Sequence, residues 1–203
     1  MLGARQNTSG DAITLLRADG GSVTIPLSGP LHNEKAESLA RELQSLDNII
    51  ASRNALARSE IDAAILSVAN ESRNDALKEL DLALRIAQQT SAGELDDKVL
   101  QMAERYSKAS KEVLTSQVPT TIYVTTLIST SEANALLHYV SKGDYDAKNL
   151  SWISYSEGDK LRIGRYVFRV EPPNLNSGVY EEVVLVVSDP TKRKLTPLRE
   201  STK

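Results

Sequence analysis

Cysteine is absent from this chain of 203 residues. Its absence excludes disulfide bonds, zinc–thiolate centres and thiol nucleophiles. The cellular compartment stays open, because a cysteine-free chain is compatible with the cytosol, the periplasm and the cell exterior. A chain of this length forms one large or two small domains and buries roughly 70% of its unfolded surface, so that it needs no disulfide or metal to fold.

Long apolar runs are also absent. None approaches the roughly 20 residues that cross a bilayer, so the sequence predicts no transmembrane segment. The first residues, Met1–Gln6, are too polar and too short for a signal peptide. We interpret them either as a natural start or as what remains after removal of a signal or anchor.

A basic excess is missing as well, because 24 Lys and Arg residues stand against 27 Asp and Glu residues, giving a formal net charge of −3. A nucleic-acid-binding chain usually shows a clustered basic excess. The sequence therefore predicts no nucleic-acid partner, and a protein partner or a second copy of the chain is the expected contact.

Residue types that perform catalysis or bind metals are sparse. The two histidines, His32 and His138, lie in different segments, whereas a zinc site needs three or four converging ligands. The Asp144–Asp146 stretch invites comparison with a calcium loop, but Lys148 and Asn149 occupy the positions of a further ligand and of the turn glycine. No phosphate-binding glycine motif occurs. We therefore expect no catalytic residue, no metal and no cofactor.

Three segments follow one another along the chain. Residues 1–30 contain two β-rich runs on either side of Asp19-Gly20, a pair that favours the tight turn of a β-hairpin. A lone hairpin is only marginally stable in water, so this one is expected to pack on another element.

Residues 31–117 show the apolar spacing of helices. Asn33 is a suitable N-cap residue, and a stripe of Leu39, Leu43, Leu46 and Ile50 follows. The further apolar series are Ile61, Ile65, Val68, Leu77, Leu80, Leu84 and Ala87, and then Leu95, Val99, Met102, Tyr106, Ala109 and Val113. No Gly or Pro separates the first two series, so residues 33–90 form either one helix or two. Ser91 and Glu94 fit a capping box for the last helix.

The spacing of these helices has two interpretations. One is an antiparallel bundle or hairpin that buries its own stripes, and the other is a coiled coil between chains.

Residues 118–203 are rich in short β-runs separated by turn residues. The expected strands are Thr121–Ile128, Asn134–Ser141, Leu150–Tyr155, Lys160–Val170 and Val179–Val187. Such spacing is typical of an antiparallel β-sandwich. The predicted fold class is therefore α+β, with an N-terminal β-hairpin, a helical bundle or hairpin, and a C-terminal antiparallel β-sandwich.

Three runs of the C-terminal segment form a further pattern, namely Ile128–Ser131, Ala135–Tyr139 and Gly164–Val170, the last of which opens with Gly-Arg-Tyr. They resemble PEGA and carboxypeptidase-regulatory-like sandwiches, in which a turn of small residues precedes one strand and Gly-x-Tyr opens a later one. Ser131-Glu132-Ala133 replaces the Pro-Gly-Ala of the PEGA motif. The resemblance implies a non-catalytic interaction module outside the cytoplasm, in the periplasm or associated with the cell envelope.

The hairpin has a resemblance of its own. Ile13–Leu27, followed by Leu31 and an acidic helix start, is similar to an SH3-like homology domain of endocytic adaptors and some bacterial envelope proteins. The family's link to the helix is replaced by residues Ser28–His32. No binding residues are carried over from this family.

Four residues form a candidate interaction surface. Trp152 and Tyr155 are aromatics of the kind enriched in binding patches, although both also suit a sandwich core. Lys160 and Arg162 share one face of a strand and could attract an anionic partner, or could be a solvated face neutralised by glutamates.

Three functions remain open. The first is a non-enzymatic interaction or structural module with helices as the spacer and the sandwich as the contact surface. The second is a self-assembling coiled-coil scaffold element. The third is a hydrolase that uses scattered carboxylates such as Asp144, Asp146 and Glu157.

Overall fold

The computed structural model describes residues 11–90, 94–173 and 178–196. The described residues fall into two compact units. The first contains residues 11–57, 66–90 and 94–115, and the second contains residues 58–65, 116–173 and 178–196. The α+β architecture predicted from the sequence is confirmed. The predicted start of the chain, Met1–Gln6, lies outside the described residues.

The N-terminal hairpin forms as predicted. Strands β1 (Ala12–Leu16) and β2 (Ser22–Pro26) pair antiparallel across a turn in which Gly20 has a φ of 84°. A positive φ is accessible to glycine because it lacks a Cβ. The Asp19 carboxylate also accepts the backbone N–H of Gly21 at 2.9 Å. One face of the hairpin is buried, and its residues are Ile13, Leu15, Val23 and Ile25.

Three long helices follow the hairpin. They are α1 (Glu34–Leu56), α2 (Glu60–Gln89) and α3 (Asp97–Thr115). Asn33 caps α1, because its side chain accepts the N–H groups of Lys35 and Ala36 at 3.0 and 3.1 Å. Residues 33–90 form two helices, and the Ser59 hydroxyl caps the second by accepting the N–H of Asp62 at 3.1 Å.

The start of α3 differs from the predicted capping box. Ser91 lies outside the described residues, and Glu94 precedes the helix. The cap is Asp96, whose carboxylate accepts the N–H groups of Lys98 and Val99 at 2.9 and 3.1 Å. A carboxylate at this position suits the positive end of the helix as well as its free N–H groups.

Contacts within the first unit define an antiparallel arrangement. Lys35 of α1 pairs with Asp97 of α3 at 3.4 Å, and Glu42 pairs with Lys111 at 3.6 Å, so α1 and α3 run in the same direction. A short loop joins α2 to α3, and Ser110 near the end of α3 donates to the carbonyl oxygen of Ala69. The α2 segment in this unit therefore runs opposite to α3.

The buried face of α3 is shifted from the predicted stripe. Val99, Met102, Tyr106 and Ala109 are only half-buried. The buried residues are Leu100, Ala103, Ser107, Ser110, Val113 and Leu114. These residues also recur every three or four positions, but serines occupy two of them. Small side chains allow two helix backbones to approach closely, which an apolar pattern does not reveal.

The second unit contains two sheets. Its elements are β3 (Tyr123–Thr130), β4 (Leu136–Ser141), the short helix α4 (Lys142–Asp146), β5 (Ile153–Ser154), β6 (Lys160–Arg162), β7 (Gly164–Glu171), β8 (Tyr180–Val186) and β9 (Thr191–Leu195). One sheet has the order β6-β3-β9 and the other β5-β4-β7-β8. The β3–β9 pair is parallel and the other pairs are antiparallel, so the first sheet is mixed.

The predicted strand Lys160–Val170 is two strands in different sheets. The β6 part pairs with β3, and the β7 part pairs with β4 and β8. Ile163 lies between them and donates its N–H to the carbonyl oxygen of Ile122 at 2.8 Å. The chain therefore crosses from one sheet to the other without a turn that the sequence would reveal.

Two short elements were not predicted. Helix α4 stands where a turn was expected, and the Ser141 hydroxyl caps it by accepting the N–H of Asp144 at 3.1 Å. Strand β9 occupies a stretch that the sequence marks only by its basic residues. Among the described residues, no helix is both long and apolar enough to cross a membrane.

The two sheets share a core. Phe168 and Val170 of β7 and Ile128 of β3 are at most 1% exposed. Tyr155 joins the sheets, since its hydroxyl donates to the carbonyl oxygen of Thr126 at 2.8 Å and accepts the N–H of Ile128 at 2.9 Å. Buried polar groups of the backbone require such partners, so this tyrosine is part of the packing of the unit.

Candidate interaction surface

Strand β3 divides its side chains between two faces. Val124, Thr126 and Ile128 are buried. Successive side chains of a strand point to opposite faces, so the alternate residues of β3 belong to the outer face of the three-stranded sheet. These residues are Tyr123, Thr125, Leu127 and Ser129. Tyr123 is 55% exposed, an unusually open position for a large aromatic side chain.

Strand β6 adds two cations to this outer face. Arg162 pairs with Tyr123, and Lys160 pairs with Thr125. Leu161 between them is buried, whereas both cationic residues are exposed. Directly paired residues point to the same side of a sheet, so both cationic side chains lie beside the outward residues of β3.

Strand β9 adds two further cations on the opposite side of β3. Lys192 pairs with Leu127, and Lys194 pairs with Ser129. Thr191 and Leu195 are buried, so the two lysines alternate away from the core. We call the resulting surface the basic face. It consists of Tyr123, Thr125, Leu127, Ser129, Lys160, Arg162, Lys192 and Lys194.

Few carboxylates neutralise the basic face. Within the described ranges, Lys160, Lys192 and Lys194 have no carboxylate within ion-pair distance. Arg162 pairs with Glu60 in the first turn of α2, and both side chains are more than half exposed. Exposed ion pairs of this kind contribute about 0–1 kcal/mol, so a partner could displace Glu60 at small cost.

The neighbouring basic residue Arg193 does not belong to the basic face. Its guanidinium pairs with Glu182 of β8 at 2.5 Å. Arg169 of β7 likewise pairs with Glu181 at 2.7 Å. These pairs match the alternative interpretation of the basic residues as a face neutralised by glutamates. The lysines of the basic face have no such partners among the described residues.

The four predicted surface residues lie in three different environments. Lys160 and Arg162 are on the basic face. Tyr155 is only 8% exposed and belongs to the core, which was the second of the two interpretations of this residue. Trp152 packs on the four-stranded sheet, where the Arg169 guanidinium lies 4.1 Å from its ring centroid. Tyr123 was not predicted, although its alternation with Val124 in the predicted strand Thr121–Ile128 indicates an outward side chain. Its place beside Arg162 depends on the register with β6.

The surroundings of Trp152 form a network of satisfied groups. The Tyr145 ring packs edge-on at 6.2 Å, and the Tyr145 hydroxyl donates to the Glu181 carboxylate at 2.6 Å. This hydrogen bond, assisted by desolvation, raises the pKa of Tyr145 above its ordinary value. Glu181 also accepts two hydrogen bonds from Arg169. The cluster stabilises one side of the sheet and leaves few polar groups for a partner.

A cleft of ≈ 380 Å³ lies beside the start of β4. Its lining includes Ile128, Glu132, His138, Ser154 and Glu157. The Nε2 atom of His138 is 4.0 Å from a carboxylate oxygen of Glu171. Across the described part of the chain, no three His, Asp or Glu side chains are grouped to hold a metal ion.

Two of the three carboxylates considered for a hydrolase have local partners of their own. Asp144 accepts the Ser141 hydroxyl at 2.6 Å, and Asp146 pairs with Lys142 at 2.5 Å. Glu157 is exposed at the rim of the cleft. Asp144 and Asp146 thus take part in the capping and side-chain pairing of α4, and the hydrolase alternative remains a hypothesis.

A search of protein-family models, of curated proteins and of solved structures finds no match to this chain. The resemblances to PEGA-type sandwiches and to the SH3-like homology domain therefore remain predictions.

Proposed function

We propose that the protein is a non-enzymatic interaction module whose basic face binds an acidic segment of a protein partner. The observation that carries this proposal is the arrangement of four cations around β3, three of them with no carboxylate partner among the described residues. Opposite charge on a partner would steer it to this surface. The helices act as the spacer, and α2 alone is about 45 Å long at 1.5 Å per residue.

Several features favour a protein partner over a nucleic acid. Single-stranded nucleic acids bind to surfaces on which several aromatic rings stack against successive bases. Tyr123 is the aromatic residue on the basic face, and its neighbours on β3 are Thr125, Leu127 and Ser129. Tyr and Arg are enriched among the residues that dominate protein–protein binding energy. The resemblance of Gly164–Val170 to interaction modules agrees with this role.

Binding of an acidic peptide tests the proposal. The probe is a fluorescent peptide of alternating Asp and Thr with capped ends, and its anisotropy is measured with the full chain. Replacing Lys192 and Lys194 by Glu should weaken binding by about 10-fold or more, because two attractive contacts become repulsive.

The matched control is the replacement of Lys98 and Lys108 by Glu. Both lysines are exposed on α3, and this change alters the net charge of the chain by the same amount. We expect the control to change affinity by less than about 2-fold, since neither lysine belongs to the basic face. Equal losses in the two variants would show that only net charge matters and would contradict the proposal.

A further inference from the structure

We infer that the acidic segment binds in an extended conformation, along β3, with an acidic residue at every second position. This inference rests on the proposed function and specifies its partner. The register of the three strands sets the position of each cation along β3.

The cations are distributed evenly along the strand. Read from the start of β3, Arg162 is level with Tyr123, and Lys160 is level with Thr125. Lys192 is then level with Leu127, and Lys194 with Ser129. The paired β3 residues are separated by two positions each time, which corresponds to about 6.8 Å. The series therefore extends over about 20 Å.

The sideways positions of the cations suit a single segment above β3. Arg162 and Lys160 are on one side of the strand, and Lys192 and Lys194 are on the other. Neighbouring strands lie about 4.8 Å apart, a distance that the side chains of Lys and Arg can bridge. A segment above β3 therefore has a cation within reach at every second residue. The first two cations come from β6 and the next two from β9.

An extended segment has the matching period. Its alternate side chains point to one face at intervals of about 6.8 Å, the same interval as the cations. Acidic residues along one face of a helix would recur about every 5.4 Å and would fall about 4 Å short over three intervals. The basic face therefore fits an extended partner better than a helical one.

The outward residues of β3 add to the fit. Tyr123 and Leu127 offer apolar contact area, and the hydroxyl groups of Thr125 and Ser129 can donate hydrogen bonds to carboxylates. These two kinds of residue alternate along the strand. Apolar and polar contacts are therefore available along the whole length of the basic face.

Two peptides of equal composition and charge test the inference on the full chain. One alternates Asp and Thr over eight residues, and the other places four Asp before four Thr. We expect the alternating peptide to bind about 5-fold tighter, because the block peptide can present only about two acids in register. Equal affinities with binding still dependent on Lys192 and Lys194 would overturn the alternating pattern and leave the proposed function intact.

A charge exchange tests the register more directly. Lys194→Glu should weaken binding of the alternating peptide, and a peptide with Lys in place of one terminal Asp should restore it. We expect restoration when the Lys is at one end of the peptide and not at the other. Only the end that lies beside Ser129 contacts residue 194. Restoration by both ends, or by neither, would contradict a fixed register.

A third arm distinguishes the source of the anionic group. Anionic vesicles and inorganic polyphosphate are compared with the alternating peptide at the same salt concentration. Binding to either of these without binding to any acidic peptide would overturn both the inference and the proposed function.

Lys194→Gln, which adds no negative charge, should weaken peptide binding less than Lys194→Glu, and circular dichroism checks that both variants are folded.

Discussion

Arg73 connects the hairpin to two helices through a buried guanidinium. Its side chain is 6% exposed and lies 2.5 Å from the carboxylate of Asp47 on α1. It also donates to the carbonyl oxygen of Leu16 at the end of β1, at 2.7 Å. A buried charge is tolerated when it is paired and hydrogen-bonded. The two terminal nitrogens of Arg73 have such partners, whereas its buried Nε has none among the described residues. The attachment of the hairpin therefore depends on the Arg73 guanidinium and on the pair of Arg17 with Asp81 at 2.9 Å, as well as on apolar packing.

Replacing Arg73 by Met should lower the free energy of unfolding by about 3 kcal/mol, because the change leaves Asp47 and the carbonyl of Leu16 without their partner. Urea denaturation measures the loss. The control is Arg85→Met, which removes an exposed guanidinium from Asp81 but leaves Asp81 paired with Arg17, and it should cost less than about 1 kcal/mol. Equal effects of the two changes would contradict a special role of the buried guanidinium.

The loss caused by Arg73→Met should depend on pH. Burial raises the pKa of Asp47 and Arg73 opposes this rise, so the pKa should rise further once Arg73 is removed. A carboxyl with a raised pKa in the folded state is most favourable to folding below its unfolded pKa, and this contribution is lost as the pH rises. The variant should therefore approach the parent in stability near pH 4 and differ most at pH 7. A difference that stays constant between these values would argue against Asp47 as the source.

The elements whose signals are local in sequence were predicted well. The Asp19-Gly20 turn and the Asn33 cap each depend on a few adjacent residues, and the structure confirms both. Strand β9 could not be predicted in the same way, since it is held by parallel pairing of Thr191–Leu195 with Thr126–Thr130. Pairing between residues so far apart leaves no periodic mark on the short, charged sequence of β9.

Loss of the cap on α1 should have a measurable cost. Asn33→Ala removes the acceptor of two backbone N–H groups and should lower the free energy of unfolding by about 1 kcal/mol. Asn48→Ala on the exposed side of the same helix is the control, and it should be neutral or slightly stabilising because Ala has the higher helix propensity. Thermal denaturation followed by circular dichroism compares the two variants. A cost equal in both would assign the effect to the amide residue and not to the cap.

At the scale of the whole molecule, the basic face shows which part of a binding surface a sequence can reveal. The alternation of Lys160 and Arg162 about Leu161 predicted their shared face correctly. The position of Lys192 and Lys194 beside Leu127 and Ser129 could not be predicted, because it depends on the β3–β9 register. Strand register depends on side-chain packing and turn geometry, and neither is apparent from charge pattern alone.

Self-association through the helices is the second function that the sequence left open. The stripe of α1 that suggested a coiled coil is covered within a single chain, since Leu39, Leu43, Leu46 and Ile50 are all at most 6% exposed. Among the described residues, the large apolar side chains that the helices expose are Ile49, Leu56 and Leu82. Single exposed apolar residues are common on monomeric proteins and do not form an interface by themselves.

The full chain should therefore scatter light with the mass of one molecule over a wide concentration range. Coiled-coil pairing between chains needs apolar positions that remain open in each monomer, and the α1 stripe is already used for packing inside one chain. A mass that doubles with concentration, and returns to that of one chain after Ile49→Lys or Leu56→Lys, would instead assign an interface to the exposed side of α1. A doubling that these changes leave intact, and that Lys192→Glu with Lys194→Glu removes, would place the contact on the basic face, which would then bind an acidic surface of a second copy.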